Sequence, residues 1–92
     1  MDITKTIARM TIDGKEISFI SVGTSAWDNG PVNDLIVSTK DRIKEYYTLL
    51  WSQQTVAIVI HFLRGAVQVK FAKVVGITDG PTGEYIYHFS WG

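Results

Sequence analysis

The chain has 92 residues, no cysteine, and nine basic against nine acidic residues, so its formal net charge is zero. A single core fits this length. The missing cysteines exclude a disulfide framework, thiol chemistry and a cysteine–zinc site. Charge balance argues against a nucleic-acid binder, whose affinity rests on neutralising phosphates, and against attachment to a membrane surface through basic residues.

The first residues, Met1-Asp-Ile-Thr-Lys5, lack the basic and apolar regions of a signal peptide, and no apolar run is long enough to span a bilayer. A cytoplasmic, reducing, intracellular setting is therefore expected. With no repeat, low-complexity tract or linker, one domain over residues 1–92 is expected.

Ile3 to Ile12 reads as a first strand. Asp13-Gly14 supplies a strong hairpin signal, and Lys15 to Val22 follows as the second strand. Residues 23–30 are a loop by composition. Trp27 stands in it, flanked by small and polar residues, and either tucks onto the core or anchors a partner.

Pro31 to Ser52 reads as one long helix. Pro31 suits a first helical position, and Asn33 and Asp34 suit the first turn. Val32, Leu35, Ile36, Thr39, Ile43, Tyr46, Tyr47 and Leu50 recur at helical spacing. The alternative is a break at Ser38, with Asp34 to Val37 extended; the unbroken stripe favours the single helix.

Thr55 to Leu63 is the strongest β signal in the chain. A two-residue turn at Arg64-Gly65 leads into Ala66 to Phe71, and the strand runs on to Ile77. That turn pairs Phe62 with Val67, Ile60 with Val69 and Ile58 with Phe71. Alternation then sets those six and Val56 on one face, and Ala57, Val59, His61, Leu63, Gln68 and Lys70 on the other.

Thr78 to Gly83 is a loop, and Glu84 to Gly92 is the last strand. Its odd positions Tyr85, Tyr87, Phe89 and Trp91 form an aromatic ladder. Without a bulge the ladder shares the face of Val59 and Leu63. A slip or a bulge near Val74-Val75-Gly76 exchanges the faces.

The expected fold is α+β: a five-stranded, mostly meander antiparallel sheet in the order ββαβββ, with one long helix on one face. One helix covers a stripe of ~10 Å, whereas five strands span about 20 Å. Apolar sheet surface is left over, to be covered by the first hairpin or by a second subunit.

No catalytic signature stands out, and the chain is not expected to be an enzyme. His61 and His88 are the only imidazoles, and Asp79 and Glu84 lie in or beside the loop rather than next to them, so neither a metal site nor a cofactor is expected. The expected function is that of a small intracellular interaction module. It would be homo-oligomeric and bind a protein partner as inhibitor, adaptor or assembly subunit. Trp27, Asp28, Tyr85, Tyr87 and Trp91 are its expected anchors. The alternative is a pocket between subunits for an anionic, nucleotide-like ligand, with Arg64, Lys70, Lys73 and His61 as its polar residues. A third reading, single-stranded nucleic acid stacked on the aromatic ladder, is opposed by the zero net charge.

Overall fold

The computed structural model describes residues 1–26 and 31–91. It is an α+β fold with one helix and a curled antiparallel sheet. The strands are β1 (Ile7–Ile12), β2 (Lys15–Glu16), β3 (Ser21–Gly23), β4 (Asp34–Thr39), β5 (Val56–Phe62), β6 (Val67–Asp79) and β7 (Tyr85–Ser90), and the helix is α1 (Lys44–Ser52). They form one seven-stranded sheet in the order β2-β1-β5-β6-β7-β4-β3, not the expected five-stranded ββαβββ arrangement.

Two local expectations fail, each for a physical reason. Residues 34–39 are a strand, so the helix is short. The β-branched Ile36-Val37 and Thr39 disfavour helix, and Leu35, Val37 and Thr39 are all buried at alternate positions. Thr39 ends the strand: its Oγ1 donates to Ser18 O at 2.7 Å and accepts from Asp41 N at 3.1 Å. The apolar residues of 32–39 thus satisfied a period of two as well as a period of 3.6. Of the alternative reading, the extended Asp34 to Val37 is seen, but the strand runs on through Ser38 to Thr39 and the helix starts only at Lys44.

The second expected strand also divides. Residues 15–16 pair with β1 across the Asp13-Gly14 turn, where both residues have positive φ, 54° and 78°. Residues 21–23 instead cross to β4.

The amino-terminal residues curl the sheet. Asp2 bridges to Gly23, and Ile3 N donates to Val22 O at 2.8 Å, on the far edge beside β3. A single 3-10 turn, Thr4–Thr6, then leads into β1 near the opposite edge. One short segment therefore ties both ends of the sheet together.

The concave side holds Met10, Ile12, Val22, Leu35, Val37, Ile58, Ile60, Val74, Tyr87 and Phe89, all buried. Helix α1 closes this side with Tyr46, whose ring meets Tyr87 at 4.9 Å and Phe89 at 5.5 Å, both edge to face. Gln53 ends the helix in the left-handed conformation, φ 58°, with its N–H on Leu49 O. Among the described residues, no helix is long and apolar enough to cross a membrane.

Candidate functional site

The hairpin β5–β6 turns through three residues, Leu63-Arg64-Gly65, rather than two. Gly65 N donates to Phe62 O and Phe62 N to Ala66 O, both at 2.9 Å, and Gly65 takes φ 95°. That one extra residue moves the register: His61 pairs with Val67, Val59 with Val69, and Ala57 with Phe71. A slip of one residue sends every side chain of a strand to the other face. Val67, Val69 and Phe71, expected beside Ile58 and Ile60, point outward instead.

Along the first half of β6 the usual polarity is inverted. Outward stand Val67, Val69 and Phe71, with 54%, 50% and 68% of their surface exposed. On the inward parity stand Gln68 and Lys70, where the concave side is open, before Ala72 and Val74 enter the core. Val75 continues the outward parity, and the bulge between Val74 and Gly76 then exchanges the faces of the residues beyond it.

The outward residues of β5, Ala57, Val59 and His61, are half-buried beside this row, with Thr11 of β1 next to Val59 and Arg9 next to His61. Exposed Leu63 stands at the hairpin end. The result is an apolar strip on the outer side of two central strands, continuous from Val67 to Phe71 and separated from Val75 by exposed Lys73. At its rim, Arg9 Nη1 lies 3.4 Å from Glu16 Oε1. Lys73 takes part in none of the described ion pairs.

The aromatic ladder goes the other way. The three-residue turn sends Val74 inward with its partner Phe89, the bulge then sets Tyr87 opposite Ile77, and both rings are fully buried. Tyr87 is therefore no partner anchor but a structural post. Its hydroxyl accepts Ile43 N–H at 2.8 Å and donates to Asp41 O at 3.2 Å, fixing the entry to α1. Burial pushes both the Tyr87 and the Tyr46 phenol above the ordinary range.

Tyr85 is half-buried beside a polar recess of about 430 Å³ lined by Arg42, Tyr47, Asp79 and Glu84. Trp91 is half-buried, with Lys70 Nζ 5.7 Å from its ring centroid, and shares a shallow recess of about 310 Å³ with Phe71, Lys73 and Val75. Trp27 and Asp28 lie outside the described residues.

The residues proposed for an anionic ligand are split. Arg64 sits in the hairpin turn, stacked 5.7 Å over Phe62, and His61 pairs with the first residue of β6. Lys70 and Lys73 lie farther along β6, toward Trp91.

Sequence reasoning missed two features. Trp51, in the last turn of α1, is 88% exposed; the helical stripe omitted it. Asp34, expected in a helical first turn, is buried on β4. Its carboxylate accepts Ser25 Oγ–H at 2.5 Å, Ser25 N–H at 2.9 Å and His88 Nε2–H at 2.9 Å. A carboxylate only accepts, so Nε2 carries the proton in this pair. Burial alone would raise the carboxyl, but the bonds from Ser25 and His88 outweigh it and hold Asp34 below its ordinary value.

Asp34 binds both Ser25 and His88, so the Ser25 hydroxyl is directed to the carboxylate and not to the imidazole. Ser90, on the same face as His88, donates to Asn33 O at 3.4 Å. No cluster of three or more His, Asp or Glu side chains suited to a metal lies among the described residues. No family model, curated protein or solved structure matches this chain.

Proposed function

We propose that the chain is a non-catalytic interaction module that docks a protein through the outer face of β5–β6, acting as an inhibitor, adaptor or assembly subunit. The carrying observation is the inverted polarity of β6. Its first half turns valine and phenylalanine to solvent while glutamine and lysine take the inward parity. Exposed apolar side chains are unremarkable singly, but a contiguous row of them marks an interaction face. A departure from local patterning that carries no benefit to the isolated fold is expected at functional sites.

A photo-crosslinking amino acid at Val69, introduced in the cells the chain comes from, tests the reading. A discrete protein adduct that disappears when Phe71→Glu is added supports it. Adducts no different from those at a control position on the exposed side of α1, such as Thr48, overturn it.

A second reading, binding of a small planar anion, draws support from the recess at Trp91. Two exposed or half-buried rings, Phe71 and Trp91, stand with Lys70 and Lys73 and no carboxylate lines the recess. Native mass spectrometry with added adenosine monophosphate tests it; a bare protein mass at millimolar nucleotide rejects it.

A further inference from the structure

We infer that the face on β5–β6 is closed by a second copy of this chain, in an isologous dimer packed sheet on sheet with Val69 close to the two-fold axis. The inference rests on the docking role proposed above and names the occupant.

The area is sufficient. Val67, Val69, Phe71 and Val75, with Leu63, expose on the order of 500 Å². Two copies would then bury roughly 1,000 Å² together, the lower bound for a specific interface.

The charge fits as well. Arg9 and Glu16 neutralise one another at the rim, and the whole chain carries no net charge, so two copies approach without repulsion. A strongly acidic or basic partner would meet, among the described residues of the face and its ends, two cations outside any ion pair, Lys73 and Arg64, and no cluster of one sign.

Shape also favours a second sheet. β6 pairs with β5 through residues 67–72 and with β7 through residues 73–79. A partner seated on the outward row lies on the face of the sheet and meets side chains. Ala57, Val59, Val67 and Val69 are short, which lets two sheets approach to the usual ~10 Å. Val69 is the midpoint of the outward row from Val67 to Phe71. A two-fold axis there lets the row of one copy cover the row of the other.

The absence of cysteine makes the test clean, because a single introduced thiol reports one position. Light scattering on the full chain is expected to give twice the 10.3 kDa chain mass at ~100 μM. Phe71→Glu is expected to weaken association by about 30-fold or more, the loss typical of an interface anchor. Circular dichroism checks that the variant folds, and Val69→Ser replaces it if it does not.

Val69→Cys is expected to form a disulfide or short bismaleimide-linked dimer under conditions where Thr48→Cys stays monomeric. A wild-type monomer at ~500 μM would overturn the inference, as would a dimer that survives both Phe71→Glu and Val69→Ser. Either result leaves the docking role to its own test, because the Val69 photo-adduct distinguishes a different partner by mass.

Discussion

Two buried phenols in contact with each other should respond in opposite directions to the same one-atom deletion. Tyr87 Oη is satisfied twice, by Ile43 N–H and by Asp41 O, whereas Tyr46 Oη is buried without a partner. Tyr87→Phe leaves the Ile43 amide, at the start of α1, without its acceptor. Orphaning such a group costs about 1–3 kcal/mol. For a chain of this size that lowers Tm by roughly 5–15 °C. Tyr46→Phe removes an unpaired hydroxyl while keeping the ring contacts at 4.9 and 5.5 Å, so it should be neutral or stabilising by up to about 1 kcal/mol. Urea denaturation followed by far-ultraviolet circular dichroism reads both changes. A Tyr46→Phe protein less stable than Tyr87→Phe would refute this description of how the helix is fastened to the sheet.

The same burial predicts alkaline weakening. Both phenols titrate higher in the fold than in the unfolded chain, so their contribution is intact below about pH 10 and is lost as pH rises beyond it. Stability of wild type above pH 10 should fall more steeply than that of Tyr46→Phe; parallel curves would contradict it. Asp34 acts at the other end of the scale. Its carboxyl is held below the unfolded value of about 3.9, so its contribution is present above that pH and lost as pH falls through the folded value. Asp34→Asn, which turns a donor toward Ser25 or His88, should cost about 1–3 kcal/mol at pH 7 and flatten the stability profile below pH 4; an unchanged acid profile would remove the role assigned to this cluster. Gly65→Ala places a Cβ at φ 95° and should cost about 1–2 kcal/mol although nothing lies within 4 Å of it. A neutral result by thermal denaturation would show that the turn relaxes.

Much of the architecture was legible because local chemistry forced it. Asp13-Gly14 adopts positive φ at both positions, as its residue types demand, and the β-branched run of residues 56–62 is a strand. The rest turned on residues that satisfy two patterns at once. Residues 32–39 fit a helical stripe, and the decision against it came from Thr39 and Asp34 finding partners at Ser18, Ser25 and His88, far away in the chain.

The face of β6 was misassigned because the assignment assumed that apolar residues point inward. With that assumption a two-residue turn looks right, since it gathers Val67, Val69 and Phe71 with Ile58 and Ile60. The three-residue turn does the reverse. Surplus apolar surface was a correct expectation, but the aromatic ladder was the wrong place for it. Tyr87 and Phe89 fill the concave core, and the exposed apolar side chains stand one strand over, on Phe71 and the valines of β6. The length of the Leu63-Arg64-Gly65 turn decides this, and it is not visible as a pattern in β6 itself.

Solvent paramagnetic relaxation of the valine methyls, on methyl-labelled protein at a few hundred micromolar, tests most directly whether the β5–β6 face is covered in solution. Methyls of Val67, Val69 and Val75 should be shielded in wild type and become accessible in Phe71→Glu, while a labelled Ile20 methyl, similarly exposed and held next to β4 at the other end of the strand order, stays accessible in both. Full accessibility of the three valines in the wild-type protein would contradict a covered face.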